Sequence, residues 1–167
     1  MERNTSTSIP HFEEEVSDGT GLDNKDIPAQ TSYDFFKERN GVRFAGLHLL
    51  IDCYGCCDIS SPELVEGCLR SAAKAAGATL LHIHLHHFTP DGGISGVAVL
   101  AESHISFHSW PEHDFAALDV FMCGGADPHK TVEVIENSFT PGDMKITELM
   151  RGRDVLEWNA GSKKSSI

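Results

Sequence analysis

Between Ala78 and Cys123 the chain alternates apolar and polar residues in four successive runs, at 78–88, 94–101, 103–110 and 115–123, separated by gaps too short to hold a helix. A period of two is the mark of strands with one buried face. Strands joined by such gaps must run antiparallel, because a parallel pair needs a crossover of roughly a dozen residues or more. Two further β-rich segments, 42–54 and 144–150, flank this meander.

Two helices interrupt the strands. The first opens at "SSPELVEGCLRSAAKAAG", where Ser60 and Glu63 have capping-box spacing, Pro62 suits the first turn and Gly77 suits a C-terminal cap. Leu64, Val65, Cys68, Leu69, Ala72 and Ala76 form its apolar stripe. The second runs from Asp127-Pro128 to about Phe139, with Val132, Ile135 and Phe139 inward and Pro141-Gly142 as its stop.

The order β-α-β-β-β-β-α-β predicts an α+β fold: a two-layer sandwich, an antiparallel sheet with helices on one face. The other face, expected to carry Ile, Val, Leu and Phe, would be exposed in a monomer. A second subunit packing sheet to sheet, giving a dimer, is therefore expected.

At 167 residues the chain suits one core. Residues 1–40, with the acidic cluster Glu13, Glu14 and Glu15, read as an acidic, disordered N-terminal extension; 41–158 is the folded domain and 159–167 a flexible tail. A formal charge of −12 leaves no basic stripe for nucleic acid. With neither a membrane-crossing apolar run nor a signal-peptide pattern, a cytoplasmic protein without membrane association is expected. Five cysteines in a reducing compartment read as thiols.

Three constellations carry chemistry. "HIHLHH" puts His82, His84 and His86 on one strand face, where they could hold zinc or line a polar cleft or subunit interface. "CYGCC", with Cys53, Cys56 and Cys57, reads as a redox pair, half a zinc site or small buried residues at a strand end. In "AESHISFHSWPEHDFAALDVFMCGG", a hairpin centred near 111–114 returns Cys123 to the Ser103 end, where a serine, a histidine and a cysteine could meet. Ser103 and His108 face opposite ways in a regular strand, so bringing them together needs a bend or bulge.

The segments "GLHLLIDCYGC", "GATLLHIHLHHF", "GISGVAVLAESHISFHSWPEH", "AALDVFMCGGADP" and the terminal "RGR" resemble the prokaryotic S-adenosylmethionine decarboxylases, self-cleaving proenzymes that carry a pyruvoyl group. The resemblance makes Ser103 the centre. It implies that Ser103 Oγ attacks the Glu102 carbonyl, that Ser95 assists, and that His108 takes the Cα proton as the ester eliminates. The chain would then be cut between Glu102 and Ser103, leaving a covalent pyruvoyl group at 103. That group condenses with the substrate's amine and accepts the electron pair released with carbon dioxide.

By the same resemblance, Cys123 returns the proton to carbon, Phe88 and Trp110 sandwich the adenine, and Glu112 holds the ribose hydroxyls. No metal is implied. The expected assembly is a homodimer of two-chain protomers acting on S-adenosylmethionine for spermidine biosynthesis. Two alternatives stand beside it: a pyruvoyl-dependent ornithine or arginine decarboxylase of the same family, and a non-catalytic zinc-binding module using the histidines and cysteines.

Overall fold

A computed structural model of the chain describes residues 36–90, 92–101, 103–153 and 155. Most of the expected extension, the expected tail 159–167 and Glu102 lie outside the described residues.

In chain order the elements are β1 (Lys37–Arg39), β2 (Val42–Phe44), β3 (Gly46–Tyr54), α1 (Pro62–Ala75), β4 (Leu80–His87), β5 (Ile94–Leu100), β6 (Ser103–Trp110), β7 (Phe115–Cys123), α2 (Lys130–Phe139) and β8 (Asp143–Arg151). Six strands form one sheet in the order β4-β5-β6-β7-β3-β8. All its pairings are antiparallel, as the short gaps demand. A 3-10 turn over Pro111–His113 links β6 to β7, with Asp114 closing it at φ 48.

The expected strand 42–54 is broken at Ala45. Its first part turns back on β1 as a separate two-stranded hairpin, so residues 37–39 of the expected extension are ordered strand. Asn40 and Gly41 have φ 53 and 76, the backbone that a tight hairpin turn between right-twisted strands requires.

Both helices pack on one face of the sheet. Leu49, Ile51 and Cys53 of β3, Leu118, Val120 and Met122 of β7, and Ile105 and Phe107 of β6 share one core with Val65, Leu69, Ala72, Ile135 and Phe139 of the helices. Burying each large aliphatic side chain contributes about 1.5–3 kcal/mol, which fixes the register of every strand facing the helices.

The cap of α1 lies one residue later than expected. Pro62 is the first helical residue, so the cap position falls on Ser61, held extended at φ −88, ψ 111 by the proline that follows. Its Oγ accepts the Leu64 N–H at 3.3 Å; Ser60 takes no part in this cap. Gly77, at φ 73, follows the helix, and the Ala78 N–H to Ala73 carbonyl bond closes a Schellman end. α2 starts later than Asp127-Pro128, after His129, and ends where Thr140 turns left-handed at φ 41.

The open face of the sheet departs from the apolar surface expected. Leu50, Tyr54, Val99, Trp110 and Leu149 are exposed, but strand alternation sets His48, His82, His84, His86, His104, His108 and Asp119 among them. It is a mixed surface studded with imidazoles.

Candidate active site

Ser103 opens β6 and Cys123 closes β7, so the antiparallel pairing brings the two strand ends together. The Cys123 N–H donates to Ser103 Oγ at 2.9 Å, and Cys123 Sγ lies 3.2 Å from the same oxygen. Both side chains are half-buried. Behind them runs Gly46, opposite Cys123 in β3; a Cβ there would stand 2.8 Å from the Met122 carbonyl oxygen and 2.8 Å from the Phe121 ring. Only glycine lets β3 pass this close to the thiol's strand.

A second group sits at the far end of β6. Ser95 of β5 pairs with His108 of β6, and Ser95 Oγ lies 2.8 Å from His108 Nδ1. The pair borders a cavity of about 380 Å³ that also takes in Phe88, Gly93, Ser109, Trp110 and Glu112. Phe88 is 49% exposed and Trp110 42%, so neither serves as a core aromatic. Trp110 leans on Phe115, centroids 5.5 Å apart, and Phe88 meets His86 edge-on at 4.5 Å.

Ser109, which the sequence did not single out, fastens this end. Its buried hydroxyl donates to the Ile59 carbonyl at 2.8 Å and accepts the Ile94 N–H at 2.9 Å. The only sequence signal for it is a serine at a core-facing position of a strand.

The two groups do not meet within one chain. His108 is five positions from Ser103 on β6, which at about 3.3 Å per residue is about 16 Å. The convergence of serine, histidine and cysteine expected from the sequence therefore fails for the histidine. The bend it needed is absent: β6 pairs with β7 in unbroken register from Ser103↔Met122 to Trp110↔Phe115. Ser103 meets Cys123, and Ser95 meets His108.

His84 and His86 line a shallow depression of about 320 Å³ beside Ser95 and His108, while His82 lies further along β4. Among the described residues no three His, Cys, Asp or Glu side chains are grouped as metal ligands would be. Cys53 and Cys56 are buried in the core; desolvation pushes the Cys53 thiol up to about 12 and raises that of Cys56. They read as packing residues, and Cys57 is exposed.

A third cluster went unread in the sequence. On the open face, His48 Nε2 lies 3.2 Å from Asp119 Oδ1, Ser106 Oγ donates to Asp119 Oδ2 at 2.9 Å, and Arg151 Nη1 lies 3.1 Å from His48 Nδ1. These residues come from four strands that only the register brings together.

The sequence profile of the S-adenosylmethionine decarboxylase family matches residues 47–152. The chain belongs to this family. Among the family's curated members, the S-adenosylmethionine decarboxylase proenzyme of Thermomicrobium roseum is 39% identical over 112 residues, which span 66% of this chain and 97% of that protein. That of Methanococcus vannielii is 43% identical over 110 residues, 64% of this chain and 89% of that protein. The crystal structure of the adenosylmethionine decarboxylase from Aquifex aeolicus is similar with a TM-score of 0.59 and 37% identity, covering 65% of this chain and 92% of that one. The α+β sandwich described above is thus the decarboxylase fold.

Proposed function

We propose that this chain decarboxylates S-adenosylmethionine after cutting itself between Glu102 and Ser103. The observation that carries the reading is the contact of Ser103 Oγ with Cys123 Sγ at 3.2 Å in a member of a proenzyme family. It places a thiol against the one hydroxyl from which a pyruvoyl group would be made.

The residues present fit that group. The Cys123 N–H already points at the side chain of residue 103, and the thiol beside it carries a transferable proton. A pyruvoyl group at 103 would supply an electron sink for the departing carboxylate. Cys123 then holds the proton that reaches the substrate's α-carbon, a role worth about a hundred- to ten-thousandfold in rate. Phe88 and Trp110, open to the 380 Å³ cavity, offer aromatic faces to adenine, and Glu112 at its rim accepts from ribose hydroxyls.

The separation of the two groups supports an assembly. Two copies stacked face to face about a two-fold axis near Ser106 would lay the Ser103–Cys123 end of one over the Ser95–His108 end of the other, with sheets about 10 Å apart. His108 and Ser95 would then assist cleavage across the interface. The exposed Leu50, Val99, Trp110 and Leu149 supply apolar area for that contact. Among the described residues no helix is long and apolar enough to cross a membrane.

The test is the mass of the purified protein under denaturing conditions, combined with carbon dioxide release from carboxyl-labelled S-adenosylmethionine, ornithine and arginine. Two fragments divided at residue 103, a borohydride-reducible terminus and release from S-adenosylmethionine alone are expected. A single uncut chain in active material would overturn the reading, and release from ornithine or arginine alone would overturn its substrate.

A further inference from the structure

The β1–β2 hairpin lies outside residues 47–152, the part of the chain that matches the family, yet it reaches the strand end that carries Cys123. Lys37 Nζ donates to the Ala126 carbonyl, just past the thiol. Arg39 in the same strand bonds Glu148 at 2.5 Å. Glu148 in turn holds His129 Nε2 at 2.5 Å, and the His129 N–H donates to Asp127 Oδ1 at 3.1 Å. The hairpin is thereby tied, directly at Ala126 and through Glu148 and His129 at Asp127, to the far side of the turn that follows β7.

That turn has little rigidity of its own. It contains Gly124, at φ 57, and Gly125, whose Cα has no atom near where a side chain would point. Two consecutive glycines give the backbone maximal freedom, so fastening from outside decides where the turn, and the thiol that enters it, comes to rest. The Ser103–Cys123 contact fixes one side. On the other side Ala126 is buried in the core, the Asp127 N–H donates to the Ala76 carbonyl at 3.0 Å, and Lys37 holds the Ala126 carbonyl between them.

We propose that Lys37 is a positioning residue for the proton donor: the hairpin clamps the Cys123–Ala126 turn so that Sγ stays against residue 103. The inference rests on the decarboxylase reading, because it assigns the clamp a catalytic purpose. Position matters here because the proton has two carbons to choose between. Delivered to the substrate's α-carbon, it completes decarboxylation. Delivered to the carbon of residue 103, it leaves after hydrolysis an alanine at 103 and an aldehyde from the substrate. The protein carbon is then reduced by the two electrons the substrate carbon loses, and no outside oxidant is needed.

The experiment compares Lys37→Met, which keeps length and removes the donor, with Lys37→Arg, which restores a cation. Both variants are expected to cleave at 103. Lys37→Met should lose about ten- to a hundredfold in kcat at unchanged KM, part of what a placed acid contributes. Its C-terminal fragment should gain a free N-terminal amine during turnover faster than wild type, and Lys37→Arg should restore both.

Hydrogen exchange at the Cys123–Ala126 amides supplies a readout independent of turnover. It should speed up in Lys37→Met and recover in Lys37→Arg, cut or uncut. Unchanged exchange, or wild-type kcat and amine formation in Lys37→Met, overturns the proposal. So does a joint loss of kcat, KM and melting temperature that arginine fails to rescue. Wild-type protein that releases no carbon dioxide from S-adenosylmethionine defeats the decarboxylase reading and with it the purpose of the clamp, whereas the exchange comparison judges the clamp's mechanics separately.

Discussion

Cys123 donates its backbone N–H to Ser103 Oγ at 2.9 Å while its own sulfur stands 3.2 Å from that oxygen. One residue therefore offers two different groups to position 103. The amide orients the side chain, and on the proposed reading the thiol delivers the proton. Replacing the thiol should separate these tasks: Cys123→Ala is expected to cleave at 103 but to turn over about a hundred- to ten-thousandfold more slowly. Chain composition by mass and labelled carbon dioxide release check both halves.

Ser103→Ala and His108→Ala should complement one another. On the proposed reading each alone is inactive, the first for want of the pyruvoyl precursor and the second for want of the processing base. Mixed assemblies, in which an intact Ser103 faces an intact His108 across the interface, should recover cleavage and activity when the variants are co-expressed. Recovery absent from such mixtures would place both residues' work within one chain.

Trp110→Ala removes one aromatic face from the cavity without touching residue 103. Base stacking of about 1–3 kcal/mol corresponds to a rise in KM of about five- to 150-fold. Cleavage should proceed as in wild type, measured by the fragment ratio.

Gly46→Ala would drive a Cβ to 2.8 Å from the Met122 carbonyl oxygen and the Phe121 ring. Crowding of this kind costs about 1–3 kcal/mol. A lower melting temperature and a weakened Ser103–Cys123 contact are expected, with slower cleavage as the visible result.

The hairpin's fastening should be sensitive to acid. The Arg39 guanidinium bonded to Glu148 holds that carboxyl below its ordinary value, despite some desolvation, and His129 works in the same direction. Burial raises Asp127, but the His129 backbone N–H and ring outweigh it and leave it lowered. A depressed folded-state value means stability present above the unfolded pKa and lost as pH falls through the folded one. Amide protection over Lys37–Phe44, taken relative to the intrinsic exchange rate at each pH, should therefore fall as pH drops below about 4, and Glu148→Gln should flatten that dependence.

Much of the fold could be read from period alone. The strands 103–110 and 115–123 have the boundaries expected, because odd residues of one and even residues of the other bury against the helices without interruption. The hairpin at 37–44 was missed although Asn40-Gly41 marks it, since its strands are too short to show alternation. Ser61 displaced Ser60 as cap because the proline, and not the Glu63 spacing, sets where α1 begins.

At the site, the residue types were legible but their grouping was not. Reactive side chains close in sequence suggested one cluster, whereas strand register distributes them: Ser103 goes with Cys123, and His108 with Ser95. Ser109, Lys37 and the His48–Asp119 pair depend on contacts between distant segments, which no local pattern reveals.

In the assembly proposed above, the distance of about 16 Å from Ser103 to His108 along β6 would link maturation to abundance. On the reading proposed above, a freshly made chain is inert until it encounters a sibling, so the birth of active enzyme follows second-order kinetics. At low expression the pool would ripen slowly, with a delay that shortens as copies accumulate.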